Sequence, residues 1–245
     1  MSINLKVALI TGANKGIGFQ TARQLGQLGY MVLVGARDEE RGREAEYRLQ
    51  QEGLRALFIQ LDVTQSVMIN QVWKRIKEQY GKLDVLINNA AVASTDPHRH
   101  QFLELNMTDM RETLDTNFFG AMAVTQAVLP LMLESPAGRI VNVSSAMGSL
   151  TLNSNPRFLH YAHKPLAYNV SKTALNQLTV HLAHEFKNTN VKVNAACPGF
   201  ASTDLNQGRG QRTASEAADI VVKLATLSND GPTGKFFNAH GEIPW

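Results

Sequence analysis

Tyr168 and Lys172 are the two residues whose types and spacing point most directly to chemistry. They lie four positions apart in a segment of helical period, and side chains at that spacing share one face of a helix. An ammonium group beside a phenol favours the phenolate, so the pair predicts a tyrosine pKa drawn from about 10 toward neutrality. A phenol tuned in this way can act as a general acid. The alternative is a helix tyrosine whose ring packs in the core and whose hydroxyl reaches the surface.

Ser145 is the next candidate, because it closely follows a short apolar segment at 140–143 that reads as a buried strand. Ligands of open α/β sheets bind at the carboxyl ends of the strands. The serine hydroxyl is therefore placed to hydrogen-bond a substrate carbonyl oxygen and to hold that oxygen against the phenol.

A glycine-rich turn follows the first predicted strand and opens directly into a helix. Its residues are Thr11, Gly12, Ala13, Asn14, Lys15, Gly16, Ile17 and Gly18. Glycines permit a tight turn and a close approach to a pyrophosphate, and a helix N-terminus offers free N–H groups and a positive dipole end. The turn predicts a dinucleotide site, with an ordinary glycine-rich turn as the alternative.

The elements that must position these residues alternate along the chain. Strand-like apolar segments lie at 5–10, 31–34, 56–61, 85–87, 140–143 and 191–196. Amphipathic segments of helical period lie at 16–28, 39–51, 65–80, 108–134 and 165–187. This alternation predicts a single α/β domain over 1–245, a doubly wound parallel sheet (Rossmann fold) with helices on both faces. Two irregular segments, 146–164 and 206–213, are candidate functional loops.

Composition argues against several classes of partner and of fold. The net charge is only +3, and no dense run of Lys and Arg is present, so nucleic acid is not indicated as a partner. The apolar segment near the start is too short for a signal peptide or a membrane span. The single cysteine, Cys197, excludes an internal disulfide framework and fits a reducing compartment. We therefore expect a soluble cytoplasmic protein without a membrane partner.

Paired histidines were tested as metal ligands. The pairs are His98 and His100, His160 and His163, and His181 and His184. None carries the H-E-x-x-H pattern or a cysteine partner, so solvated or core histidines are favoured and no metal is expected.

Six motifs, in order and on the expected elements, resemble the short-chain dehydrogenase/reductase family over nearly the whole chain. They are the Thr-Gly-x-x-x-Gly-x-Gly turn at 11–18, Asn88-Asn89-Ala90, Asn117, Ser144-Ser145, Tyr168-x-x-x-Lys172 and Pro198-Gly199. Within that family, Asn14-Lys15, Ala36-Arg37 and the Pro244-Trp245 tail look most like NADPH-dependent carbonyl reductases.

The resemblance implies roles for individual residues. Ser145, rather than Ser144, is the implied catalytic serine, and Tyr168 and Lys172 are the implied catalytic and ribose-binding pair. Asn117 resembles the family's helix asparagine that anchors a water linking the lysine to solvent, with a satisfied buried asparagine as the alternative. The implied cofactor-binding residues are Gly12, Asn14, Lys15, Gly16, Ile17, Gly18, Arg37, Arg41, Asp62, Val63, Asn89, Ala90, Tyr168, Lys172, Pro198, Gly199 and Thr203.

The end of the second predicted strand bears on the choice of cofactor. By resemblance, NAD enzymes of the family carry an aspartate where this chain has Ala36, and Asp38 is rejected for that role. Lys15, Arg37 and Arg41 would together meet the 2′-phosphate of NADP(H), which suits a guanidinium fork. Arg41 has an alternative reading as a solvated arginine paired with Glu39 or Glu44.

Two departures from the family pattern affect the expected pocket. Ala91 replaces the usual glycine, which is tolerable unless the backbone there requires a positive φ. The interval from Ser145 to Tyr168 is longer than in many members, and it contains Leu150, Leu152, Phe158, Leu159 and Tyr161. We expect the 146–164 segment to form one wall of a substrate pocket that favours hydrophobic carbonyl compounds, or else to lie where subunits associate.

Three functions compete. The leading one is hydride transfer between NADP(H) and a small ketone, aldehyde or secondary alcohol, with Tyr168 as general acid or base. A redox sensor or scaffold that binds the nucleotide without turnover is the second, although it would not need Ser145, Tyr168, Lys172 or Asn117. A sugar-nucleotide epimerase or dehydratase is the third, but few residues follow Gly199 to build its substrate domain.

Overall fold

The computed structural model describes residues 5–94 and 102–245. Its strands are β1 (Val7–Thr11), β2 (Met31–Ala36), β3 (Ala56–Gln60), β4 (Val85–Asn88), β5 (Arg139–Val143), β6 (Lys192–Ala196), β7 (Phe236–Asn238) and β8 (Gly241–Glu242). Its helices are α1 (Gly16–Gln27), α2 (Glu39–Gln51), α3 (Ser66–Tyr80), α4 (Met107–Leu114), α5 (Ala121–Leu133), α6 (Leu150–Asn153), α7 (Leu166–Glu185) and α8 (Ala214–Ala225).

The strands form one sheet in the order β3-β2-β1-β4-β5-β6-β7-β8. All pairs are parallel except β7 with β8, which closes the far edge as a short antiparallel hairpin. The strand order reverses between β1 and β4, and a crevice opens at such a switch point beyond the carboxyl ends of the strands. The predicted doubly wound α/β fold is confirmed.

Continuous apolar strands account for this architecture. Every residue of β1 is buried, because successive side chains point to opposite faces and helices cover both. One face packs Ala8 and Ile10 against α1 and α8, and the other packs Val7 and Leu9 against α3 and α5.

The segment predicted as one helix over 108–134 is interrupted. A π-helical turn, Asp115–Gly120, separates α4 from α5, and Pro130 lies inside α5. The stretch Met107–Leu133 is long and apolar enough to cross a membrane by length and composition. Its apolar residues include Val124, Val128 and Met132, which are buried against the sheet, so packing accounts for their character.

Elements beyond the prediction lie mostly near the C-terminus. Helix α8 begins at a capping box between Thr213 and Glu216, and it packs on α1. Strand β7 extends the sheet beyond β6, and the Trp245 ring stacks on Phe236 at a centroid distance of 5.3 Å. The predicted loop at 146–164 contains a 3₁₀ turn, Ala146–Gly148, followed by α6.

Candidate active site

A cleft of about 780 Å³ lies at the carboxyl ends of the parallel strands. Every predicted cofactor residue lines it: Gly12, Asn14, Lys15, Gly16, Ile17, Gly18, Arg37, Arg41, Asp62, Val63, Asn89, Ala90, Tyr168, Lys172, Pro198, Gly199 and Thr203. Ser145 also lines the cleft, whereas Asn117 lies behind its wall. Residues separated by up to about 190 positions in the sequence thus converge on one cavity.

The glycine turn has the backbone that its composition predicted. Gly12 and Gly16 adopt φ values of 65° and 57°, in the left-handed region that glycine enters without strain. A Cβ at Gly18 would lie 2.5 Å from Gly12 O, so the start of α1 can approach the turn only with glycine there. No side chain among the described residues caps α1, and its first turn carries no acidic residue. The cradle and the free helix terminus fit a pyrophosphate.

Asn89 and Thr11 fix this turn in place. The Asn89 side-chain amide donates to Thr11 O at 2.8 Å and to Gly12 O at 3.0 Å. The Thr11 hydroxyl accepts from the backbone N–H groups of Asn89 and Ala90, both at 3.0 Å. Asn89 therefore lines the cleft mainly as a positioning residue, because its amide group is already used to hold the turn.

Ala91, which follows Ala90 in the cleft wall, has an unstrained backbone. Gln207 is the only non-glycine residue with a positive φ in the part of the chain that the structure describes, so the backbone at Ala91 does not require glycine. The departure from the family pattern adds a methyl group to the cleft wall and leaves the backbone conformation ordinary.

Tyr168, Lys172 and Ser145 meet at the inner end of the cleft. Tyr168 and Lys172 share the same face of α7, and Lys172 Nζ lies 5.6 Å from the centroid of the Tyr168 ring. Lys172 Nζ also donates to Val143 O at 2.8 Å, which anchors the ammonium beside the end of β5. The Ser145 hydroxyl lies near the Tyr168 phenol and acts to lower its pKa.

Ser144 has a different role. Its hydroxyl is buried and donates to Asn176 Oδ1 at 2.6 Å, which ties β5 to α7. The hydroxyl of Ser145, by contrast, accepts one backbone hydrogen bond, from Met147 N at 3.2 Å. Ser145 also lines the cleft. The arrangement separates a structural serine from one that can touch a ligand.

The expected lowering of the tyrosine pKa is not found. Burial raises the pKa of Tyr168 to about 12, opposed by the nearby Ser145 hydroxyl and reinforced by Cys197. Burial also lowers the pKa of Lys172 to about 8. The prediction from spacing was wrong because desolvation of a buried phenol outweighs what its neighbours provide, and the same desolvation weakens the positive charge of Lys172.

Asn117 is buried in the π-helical turn between α4 and α5. Its Oδ1 accepts from Val92 N at 2.8 Å, and its Nδ2 donates to Val92 O at 2.9 Å and to Ser171 Oγ at 3.0 Å. Both polar ends of the side chain are therefore used within the protein, as in the alternative reading of a satisfied buried asparagine. It positions the chain after β4 against α7, and its link to a proton-carrying water stays a prediction.

Positive charge gathers at the outer end of the cleft, where Lys15, Arg37 and Arg41 all line the cavity. The Asp38 carboxylate caps α2 by accepting from Arg41 N at 2.9 Å, so it is engaged at the helix start. Glu39 pairs with Arg43 rather than with Arg41. The alternative pairing of Arg41 with Glu39 is thus not formed, and the Arg41 charge contributes to lowering the pKa of the Asp204 carboxyl.

The remaining predicted residues complete the rim. Asp62 Oδ1 accepts from Thr64 N at 2.9 Å and from Thr64 Oγ1 at 2.7 Å, which shapes the turn after β3. Gly199 has a φ of 79°, and the chain turns there toward Thr203. A Cβ at Gly16 would lie 3.5 Å from Thr203 Cγ2, so the segment after β6 approaches the glycine turn closely.

The cleft residues that the sequence did not predict include Cys197, Phe200, His160 and Met147. The buried thiol of Cys197 accepts from Ala146 N at 3.2 Å, and burial raises its pKa. Its position directly after β6 was a usable signal, but the cysteine was weighed only as a disulfide partner. The His160 ring lies 6.0 Å from that of Phe200, so two walls of the cleft meet there.

The 146–164 segment does form part of a wall, but through other side chains than expected. Ala146, Met147, His160 and His163 line the cleft, whereas Leu150, Leu152, Phe158, Leu159 and Tyr161 do not. Leu159 is 85% exposed and Leu150 is 69% exposed. The expectation failed because the 3₁₀ turn and α6 decide which side chains face inward, and apolarity alone does not.

The histidines carry no metal-binding cluster within the described residues, where no three His, Cys, Asp or Glu side chains converge suitably. His181 forms a pair with Glu185 on the outer face of α7. His98 and His100 lie outside the described residues.

Comparison with known proteins agrees with the fold. A family model described as short chain dehydrogenase matches residues 6–214, so the chain belongs to the short chain dehydrogenase family of oxidoreductases. It is 35% identical to carbonyl reductase [NADPH] 1 of Mus musculus, with 100% of each chain covered. It is 32% identical to (+)-neomenthol dehydrogenase of Capsicum annuum, with 95% of each covered.

A solved structure extends the likeness to three dimensions. The NADPH-bound carbonyl reductase from chicken fatty liver superposes with a TM-score of 0.85 at 25% identity, covering 98% of this chain and 99% of the other.

Proposed function

We propose that this chain is an NADPH-dependent carbonyl reductase that transfers hydride reversibly between NADP(H) and a ketone, an aldehyde or a secondary alcohol. One observation carries the proposal. Ser145, Tyr168 and Lys172 converge at the inner end of a cleft whose outer end is lined by Lys15, Arg37 and Arg41. Two of the similar proteins are named as an NADPH carbonyl reductase and an NADPH-bound carbonyl reductase, and these names support the same choice of cofactor.

The residues of the chain divide the work along the cleft. The glycine turn and the N-terminus of α1 would hold the pyrophosphate, and the three cations at the outer end would hold a 2′-phosphate. The bound nicotinamide supplies the hydride. Lys172 would contact the adjoining ribose, Asp62 and Val63 would border the adenine, and Thr203 would hold the carboxamide.

Tyr168 would act on the substrate oxygen. With a pKa of about 12, its phenol is fully protonated at neutral pH and can donate a proton to a carbonyl oxygen that gains charge. Ser145 would orient that oxygen by hydrogen bonding, since Ser145 and Tyr168 line the same cleft. The protonated phenol is the form that the reduction of a carbonyl group requires.

The substrate end of the cleft has mixed character. Met147 and Phe200 supply apolar surface, His160 adds an aromatic ring, and Arg209 lines the outer part. A small carbonyl compound with an apolar body fits this lining. A cytoplasmic location, favoured by the single thiol, stays a prediction.

The proposal is tested by a turnover screen of cyclic, aromatic and aliphatic ketones and aldehydes with NADPH and with NADH. We expect oxidation of NADPH by at least one apolar carbonyl compound, with a higher kcat/KM for NADPH than for NADH. Nucleotide binding without turnover on any compound would favour the sensor or scaffold instead. Equal kcat/KM for the two cofactors would overturn the NADPH assignment.

A further inference from the structure

Asp204 is a charged residue of the cleft that the proposed chemistry does not use. It begins a 3₁₀ turn, Asp204–Asn206, directly after Thr203, and it lines the outer end of the cavity. Its Oδ2 lies 2.6 Å from Lys15 Nζ, although the two residues are far apart in the sequence. The Lys15 ammonium, with a smaller contribution from Arg41, holds the pKa of this carboxyl below its usual range.

The pair joins two walls of the cleft. Lys15 belongs to the glycine turn before α1, and Asp204 belongs to the segment after β6, so the contact bridges the cavity from one wall to the other. Both side chains are at least half exposed, with 51% for Lys15 and 73% for Asp204. An exposed pair of this kind contributes little to folding, so an effect of Asp204 would show mainly in what binds beside it.

Lys15 is also one of the three cations assigned to the 2′-phosphate. A phosphate that binds Lys15 while Asp204 stays in place would lie within a few ångströms of a carboxylate of the same charge. Like charges at such a distance repel. The phosphate must therefore compete with the Asp204 carboxylate for Lys15 and Arg41, whereas a ribose 2′-hydroxyl brings no charge and meets no such competition.

We propose that Asp204 is a specificity-determining residue that competes with the 2′-phosphate for Lys15 and Arg41, and so limits the preference for NADPH over NADH. The inference rests on the proposed function, because it assumes that these cations face the 2′-phosphate. When Lys15 binds the phosphate, it must release Asp204, so the ion pair between the two walls breaks. Cofactor binding is thereby coupled to the wall that carries Thr203.

The local structure permits a clean test, since other contacts hold the segment around Asp204. Asn206 Nδ2 donates to Ala201 O at 2.7 Å, and Gly208 N donates to Thr203 O at 2.9 Å. Ser202 Oγ donates to Gly208 O at 2.9 Å. Replacing the carboxylate by an amide therefore leaves the turn folded.

The experiment compares the full-length wild type with Asp204→Asn by fluorescence titration of NADPH and NADH, and by calorimetric titration of 2′,5′-ADP and 5′-AMP. We expect NADPH and 2′,5′-ADP to bind about three- to tenfold more tightly to the variant, with NADH and 5′-AMP changed less than about twofold. The gain should shrink at high salt, because the repulsion between charges is screened.

Two further variants provide controls. Asp219→Asn removes the same charge from α8, where Asp219 accepts from Gln24 and does not line the cleft, so it should change neither affinity. In a Lys15→Met background, Asp204→Asn should produce a smaller gain, since one of the contested cations is gone.

Each contrary result has a separate meaning. If Asp204→Asn weakens NADPH and NADH alike, the bridge is a clamp over the cofactor and the inference is overturned. An unchanged ratio of the two affinities in a protein that still prefers NADPH overturns it as well. If the wild type shows no preference for NADPH and Asp204→Asn creates none, the assignment of the 2′-phosphate to these cations fails, and with it the proposed function.

Discussion

The two ends of the parallel sheet differ in how many partners surround their ionisable groups, although burial also lowers the pKa of Arg139 at the amino end. At the amino end, the Asp84 carboxylate accepts from Val7 N at 2.8 Å, Ser135 Oγ at 2.7 Å and Lys82 Nζ at 2.8 Å. Arg139 donates to the carbonyls of three loops and to an asparagine oxygen, all within 3.0 Å. Each charge there is surrounded by partners that match it.

At the carboxyl end, Lys172 is buried and Tyr168 is partly buried, both with fewer partners, and desolvation displaces both pKa values. Charged groups whose hydrogen bonds are all made typically stabilise a structure. Groups with shifted pKa values cluster at functional sites. We therefore propose that the Asp84 and Arg139 end stabilises the fold and that the Tyr168 and Lys172 end carries the chemistry. The predictions below test this division.

The largest expected effect is that of Tyr168→Phe on turnover. Loss of the proton donor should lower kcat by about 10²-fold to 10⁴-fold, with NADPH affinity retained, because only the hydroxyl is removed. Steady-state kinetics and fluorescence titration measure the two quantities on the same preparation. Near-full turnover in the variant would remove Tyr168 from the chemistry.

Asp84→Ala should show the reverse pattern. The substitution leaves Val7 N–H, the Ser135 hydroxyl and Lys82 without their acceptor, and breaking such a buried pair costs on the order of 3–5 kcal/mol of unfolding free energy. Urea unfolding measures this loss, while kcat of the folded fraction should be nearly unchanged. Glu78→Ala, which removes an exposed helix pair with Lys74, is the matched control and should cost well under 1 kcal/mol. A similar loss for both variants would contradict the division.

Lys172 should give the stability a distinctive pH dependence. Its pKa is about 8 in the folded protein and near 10.5 when unfolded, so the unfolded chain binds more protons between these values. Stability from this residue therefore rises with pH through that window and is lost as pH falls toward 8. Between pH 7.5 and 9.5 the wild type should gain about 1 to 2 kcal/mol relative to Lys172→Met. Parallel pH profiles would show that Lys172 titrates normally.

Arg37→Asp tests the outer end of the cleft. Each charge-assisted contact with a 2′-phosphate is worth about 1.5 to 3 kcal/mol, so the ratio of kcat/KM for NADPH over NADH should fall by roughly tenfold or more. Arg43→Asp, on the same helix but paired with Glu39, is the control and should leave the ratio within about twofold. An unchanged ratio in Arg37→Asp would exclude Arg37 from cofactor choice.

The smallest expected effect concerns the 146–164 wall. His160→Ala should change KM for apolar carbonyl compounds by about two- to fivefold, because roughly 1 kcal/mol of ring contact with Phe200 is lost. Leu159→Ala is the matched control, since Leu159 is exposed and does not line the cleft. A change of assembly state in Leu159→Ala, measured by sedimentation with unaltered kinetics, would place this segment at a subunit contact instead.

Much of the fold could be predicted because the buried parallel strands are continuous apolar runs. The glycine turn and the Tyr168 and Lys172 pair were also readable, since their spacing within one element is local information. Helix α8 was missed although the capping box of Thr213 and Glu216 is visible in the sequence. Strand β7 is only three residues long, too short to give a periodic pattern.

What the sequence could not provide depends on contacts across the fold. The pKa of Tyr168 follows from burial by elements that are remote in the chain, so the spacing to Lys172 predicted the wrong direction. The contact of Lys15 with Asp204 joins residues 189 positions apart and leaves no local signal. Which side chains of 146–164 face the cleft depends on the turn at Ala146–Gly148 and on α6.

The central claim, that the carboxyl end of the sheet performs hydride transfer, is tested most directly by isotopic labelling. NADPH carrying deuterium at the transferable position of C4 is incubated with the protein and a ketone found active in the turnover screen, and the alcohol is analysed by mass spectrometry. We expect one deuterium on the carbinol carbon with wild-type protein and almost none with Tyr168→Phe over the same time. Alcohol without deuterium, or labelled alcohol at an equal rate from the variant, would contradict the claim.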